Sequence, residues 1–154
     1  MRCRTNNRMS VVLSLALGLT SGPLASAAGA MPTTIRVELV GSSMDMQTNG
    51  MAIRANPSTV QPGKVTFDVI NLSKELNHEM VIVRLNGAHG QLPYNRDTDE
   101  VREDRTTPLG EVSDLPPGGH GSLTLTLTPG LYMLICNQPG HYRAGMHTVF
   151  AVGR

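Results

Sequence analysis

Polar and apolar residues alternate along much of this chain. Thr33 to Val40 reads TTIRVELV and sets Ile35, Val37 and Leu39 on one face. That period of two predicts a strand with one side buried. Lys64 to Asn71 repeats the pattern through Val65, Phe67 and Val69, and Ser122 to Thr128 repeats it with leucines against threonines. Met51 to Ala55 predicts a short strand that Asn56-Pro57 stops. His78 to Leu85 and Leu131 to Ile135 are apolar runs of strand length, and a last strand is expected from about Gly145 to Val152. Asn49-Gly50, Pro62-Gly63 and Pro129-Gly130 read as turns. Seven to eight short strands punctuated in this way predict an all-β domain, a β-sandwich with Greek-key connections.

Two stretches fall outside the pattern. Residues 86–120 begin with Gly, Pro, His and Asn and continue into Asp97 to Arg105, dense in both charge signs. They are expected to form a charged loop insertion on the outside of the sandwich. At the other extreme, Arg2, Arg4 and Arg8 precede a short apolar core at Val11 to Leu19, and Ala25-Ser26-Ala27 follows. This is the pattern of a secretory signal peptide over residues 1–27, with cleavage between 27 and 30, followed by a domain at 31–154. The apolar core is too short to span a bilayer. The chain carries no Arg-Arg pair, so export of an unfolded chain is expected, with any metal acquired afterwards.

Cleavage changes the inventory. The precursor's net charge of +1 falls to about −2 when the three arginines leave. That charge gives no footprint for nucleic acid. Cys3 leaves too, so Cys136 is the sole cysteine of the mature chain and no intramolecular disulfide can form. A lone thiol in an oxidising compartment needs a reason, and coordination to a metal supplies one.

The surroundings of Cys136 strengthen that reason. The spacing Cys136-x4-His141-x4-Met146 places a thiolate, an imidazole and a thioether on one short loop between two strand candidates. A blue-copper site takes two histidines and one cysteine in a trigonal set with a weak axial methionine. The missing imidazole is expected from His78, which opens a strand. Its rivals are His89 and His120, in Gly-rich stretches, and His147, which a strand would point away from Met146. Met44, Met46 and Met51 read either as core filling or as a second soft site for reduced copper.

These residues carry a resemblance. Asn77-His78 at a strand start, then Tyr132-x3-Cys136-x2-Pro139-Gly140-His141-x3-Gly145-Met146 before a final strand, resembles the cupredoxins, and the ligand loop is most similar to that of rusticyanin and sulfocyanin. The resemblance implies a Greek-key sandwich, one type 1 copper and electron transfer between larger redox partners. Members commonly carry Asn or Ser after the first histidine, tying the two ligand loops together. Here that position is Glu79.

The expected function is therefore an exported, periplasmic, monomeric carrier of one electron at a time. Copper is held by His78, Cys136, His141 and Met146, and the partner is a cytochrome or copper enzyme. The alternative is a copper chaperone, storage or tolerance protein on the same fold. Copper enzymes need more histidines than the five present, so no enzymatic activity is expected.

Overall fold

The computed structural model describes residues 32–87 and 90–153. The expected signal peptide and His89 lie outside the described residues. In chain order the elements are β1 (Thr33–Val40), α1 (Ser43–Thr48), β2 (Ala52–Asn56), β3 (Thr59–Val60), β4 (Gly63–Asn71), β5 (His78–Arg84), β6 (Tyr94–Asn95) and β7 (Glu100–Val101). A 3-10 turn at Glu103–Arg105 follows, then β8 (Pro108–Leu115), β9 (His120–Leu127), β10 (Gly130–Ile135) and β11 (His147–Val152).

The alternating segments build one sheet, in the order β2-β1-β4-β9. β1 and β4 run parallel and turn Ile35, Val37, Leu39, Val65, Phe67 and Val69 into the core, all fully buried. The second sheet has the order β3-β11-β10-β5-β8. The two sheets face each other, and Phe67 of the first meets Phe150 of the second edge to face at 5.7 Å between ring centroids. The all-β sandwich expected from the pattern is the observed architecture.

β5 and β10 do not alternate because both of their faces are covered. Met80, Ile82, Tyr132 and Leu134 face the main core. Val81, Val83, Met133 and Ile135 face outward into a second cluster with Val101, against which Leu92, Tyr94 and Tyr142 pack. The segment from Leu92 to Val101 thus lies over the outside of the sheet.

The structure departs from the expected excursion at 86–120 in one respect. Pro108–Leu115 is β8, paired antiparallel to β5 with register shifts along the ladder. Its glycine, proline and charged residues suit an edge strand, where one side of the ladder is free. A second departure is α1, in the stretch read as loop and turn. Ser42 caps it, its hydroxyl accepting from Asp45 N and donating to the Asp45 carboxylate at 2.7 Å. Asn49 ends it in the left-handed region at φ 53°.

Candidate metal centre

Strand pairing brings the distant parts of the chain together. β10 lies antiparallel between β5 and β11, with Ile135 opposite both Val81 and His147. The start of β5, the end of β10 and the start of β11 therefore share one end of the sheet. His78 opens β5, Cys136 follows β10 directly, and Met146 precedes β11 directly.

The loop between β10 and β11 closes through its own backbone. Cys136 N donates to Met146 O at 3.0 Å, and Met146 N donates to His141 O at 3.0 Å. Ala144 N donates to Gly140 O at 3.0 Å, which completes a helix-like turn. Gly145 has φ +99°, and a Cβ there would lie 3.0 Å from the Met51 carbonyl. Only glycine suits both the conformation and the space.

Within this frame the Cys136 Sγ, a His78 ring nitrogen and a His141 ring nitrogen all lie within 4.8 Å of one another. The two Nδ1 atoms are 3.2 Å apart, and Sγ is 3.4 Å from Nδ1 of His141 and 3.9 Å from that of His78. Cys136 and His78 are fully buried and His141 is 6% exposed. Met146 is fully buried in the same core cluster as Cys136. Among the described residues, no other group of three His, Cys, Asp or Glu side chains converges in this way.

Burial sets the protonation states. It holds His78 down at about 4, with the neighbouring His141 adding to the effect and the Gly41 backbone partly opposing it. Burial also lowers His141. Both imidazoles are neutral at pH 7 and can present lone pairs. Burial pushes the Cys136 thiol up to about 12, although the Glu79 and Gln138 backbones favour the thiolate. By itself this cysteine is an inert thiol. A cation held by the three atoms would supply the charge that a thiolate requires. Nε2 of His78 is buried with no hydrogen-bond partner, while Nδ1 is the ring nitrogen that faces His141 and Cys136. Two neutral imidazoles and one thiol fit one type 1 copper.

Solved structures give the independent comparison. The chain aligns with dithionite-reduced auracyanin from Roseiflexus castenholzii at 25% identity, over 82% of this chain and 100% of that one, with a TM-score of 0.55. It aligns with rusticyanin from Thiobacillus ferrooxidans at 23% identity, over 77% and 75% of the two chains, with a TM-score of 0.53. The chain has the cupredoxin fold. A third cupredoxin match is auracyanin A from Chloroflexus aurantiacus, described as a "blue" copper protein, at 21% identity over 80% and 100% of the two chains, with a TM-score of 0.53. No family model and no curated protein matches the sequence.

The question raised by Glu79 has a structural answer. Its carboxylate accepts from Asn137 N at 2.9 Å, and its own N–H donates to Cys136 Sγ at 3.4 Å. Glu79 ties the His78 strand to the cysteine loop, with a negative group where the family commonly has a neutral one. Burial raises its pKa, and Glu111, Glu103 and Asp114 add to that against the Asn137 backbone bond.

The other described histidines lie away from the three donors, and Met44, Met46 and Met51 do not form one cluster. His120 is exposed on the edge strand β9, where it pairs with Ile70. His147 is also exposed, its ring against Tyr142 at 4.8 Å. Met44 is 70% exposed while Met51 is 3% exposed and packs beside Gly41, so the two do not share a surface. Met46 lies over Gly140, its Cε 3.1 Å from where a Cβ would stand.

Asn71 carries a positioning role that spacing does not reveal. Asn71 is fully buried at the end of β4. Its amide donates to Leu76 O at 2.8 Å and to Leu115 O at 2.9 Å, and its Oδ1 accepts from Ser73 N at 2.9 Å. These bonds shape the loop that delivers His78.

Proposed function

We propose that this chain is an exported, single-domain carrier of one electron at a time, with one copper ion held by His78, Cys136, His141 and Met146. The observation that carries the reading is the convergence of one sulfur and two imidazole nitrogens within 4.8 Å in a buried pocket. Copper bound there would supply the reversible one-electron couple. The chain's own residues do the rest. His78 and Cys136 come from the ends of paired strands, so their spacing is held by the sheet. His141 and Met146 come from a loop closed by its own hydrogen bonds. A site fixed this firmly changes little between oxidation states, which favours fast transfer. Burial excludes water and leaves no open position for a substrate. The fold of the matched structures supports a carrier over an enzyme.

His141 is the candidate exit for the electron, since it reaches the surface where His78 does not. The exit is narrow, because Ala144 beside it is buried and Met46 stands over Gly140. No helix among the described residues is long and apolar enough to cross a membrane. Export rests on the signal-like N-terminus, and the partner is a redox protein that docks at the His141 end.

The test is a visible spectrum of the purified domain with one equivalent of Cu(II), then with ascorbate, then after reoxidation. An intense thiolate-to-copper band that bleaches and returns supports the carrier. Cys136→Ser should abolish the band while leaving the fold intact by circular dichroism. Tight Cu(I) binding with no such band would replace this reading with copper handling.

A further inference from the structure

The segment over the outer face of the second sheet reaches the ligand loop at several points. Asn137, next to Cys136, is the main one. Its Oδ1 accepts from Val101 N at 2.7 Å, and its Nδ2 donates to Val101 O at 3.1 Å and to Glu103 Oε1 at 2.8 Å. The side-chain amide pairs with Val101 as a neighbouring strand would. Further along, Gly140 N donates to Asp99 O at 2.7 Å. Leu92 N donates to the Tyr142 hydroxyl at 3.3 Å, and the Tyr142 ring stacks on Tyr94 with centroids 6.0 Å apart. The Arg143–Asp99 ion pair at 3.4 Å is exposed on both sides and adds little.

We propose that residues 92–103 form a splint that fixes the ligand loop in its metal-ready shape, with Asn137 as the positioning residue at the cysteine end. This rests on the copper reading above and extends it. The physical argument is one of constraint. Without the splint, Asn137 and Gly140 would keep only loop contacts, and the residues on either side of Cys136 and His141 could drift. With it, the loop is held from outside the sheet by Val101 and Asp99 and from β5 by Glu79, which takes the Asn137 backbone N–H. The splint is also anchored on the sheet itself. Leu92, Tyr94 and Val101 pack into the outer apolar cluster with Val81, Val83 and Met133. A metal then arrives at ligands already in place, and neither oxidation state reshapes them.

The test compares Asn137→Ala with Thr128→Ala, which loses an Arg84 bond elsewhere on the sheet. In the metal-free protein, amide exchange at Val101 and Gly140 should speed about tenfold or more in Asn137→Ala, while the amide of Val69 in β4 stays as slow as before. Loaded with copper, Asn137→Ala should keep one ion per chain but shift both its visible band and its potential. Thr128→Ala should move neither. Should Asn137→Ala fail to fold, Glu103→Ala removes the outermost bond together with a charge near Glu79, and Glu103→Gln, which keeps an oxygen for Asn137 Nδ2 and removes the same charge, is its control: exchange at Val101 should speed in Glu103→Ala and not in Glu103→Gln. Unchanged exchange at Val101 and Gly140 would overturn the proposal. So would faster exchange with band and potential unmoved, since the contact would then be structural only. A wild-type protein that develops no thiolate band would remove the copper reading, and the splint would then stand or fall on the exchange rates alone.

Discussion

Replacing Asn71 by alanine removes three hydrogen bonds at one stroke and should be among the most damaging single changes outside the candidate ligands. The Leu115 carbonyl and the Ser73 amide are bonded to Asn71 in buried surroundings, whereas the Leu76 carbonyl is partly open. A buried group left without a partner costs about 1–3 kcal/mol, and a partly open one nearer 0.5–1 kcal/mol. Two of the first kind and one of the second give a loss of about 2.5–7 kcal/mol. A domain of this size has a total stability of about 5–15 kcal/mol. The assay is urea unfolding of the metal-free protein followed by circular dichroism. With a slope of about 2 kcal/mol/M, the midpoint should fall by roughly 2 M. Asn71→Asp keeps the acceptor for Ser73 N but sets a buried carboxylate oxygen against the Leu76 and Leu115 carbonyls, so at neutral pH its midpoint should fall at least as far as that of alanine. The copper-loaded protein should also release its ion more readily, because the 72–77 loop that sets the height of His78 would no longer be pinned. A loss below about 1 kcal/mol would refute the reasoning, since it would mean that water or a backbone shift satisfies all three groups.

Further predictions concern the metal and pH. Met146→Leu should keep copper bound and raise the potential, because removing a weak axial donor disfavours the oxidised ion; voltammetry checks this, and loss of the ion would assign the methionine to structure instead. Glu79→Gln keeps an oxygen for Asn137 N and removes the charge, so the potential should also rise, a tenfold change in relative affinity for the two oxidation states corresponding to ~59 mV. An unmoved potential would show that solvent screens the carboxylate. Without metal, His78 titrates at about 4 in the fold against an ordinary 6.5, so the folded form binds fewer protons than the unfolded one. That contribution to stability is complete above pH 6.5 and is lost as the pH falls toward 4. Urea midpoints between pH 7.5 and pH 4 should decline for the wild type and decline less for His78→Gln.

What could be read in advance follows from how local each signal is. β1, β4 and β9 announce themselves because one face is buried and one is wet. Three of the candidate ligands were legible because they share one loop, whose glycines mark its turns. β8 was hidden because Pro108, Gly110 and its charges read as loop, and it becomes a strand only by pairing with β5. The capping pair Ser42 and Asp45 was a readable helix signal, but it stands within a run otherwise marked by Gly and Asn. The roles of Asn71 and Asn137 depend on partners 44 and 36 residues away, and no periodicity encodes such pairs. Glu79 showed as an oddity in sequence, and only its contact with Asn137 gave the oddity a role.

The cover over the outer face of the second sheet bears on how such a carrier lets go. An electron carrier must leave its partner as readily as it meets it. Bare, the row of Val81, Val83, Met133 and Ile135 would be a broad greasy wall beside the redox end, and apolar contact of that extent lengthens residence. Covered by residues 92–101, that wall is reduced to scattered side chains such as Leu131 and Val149. On the proposed carrier reading, the cover leaves a partner little apolar surface to hold on that face, which would shorten its stay.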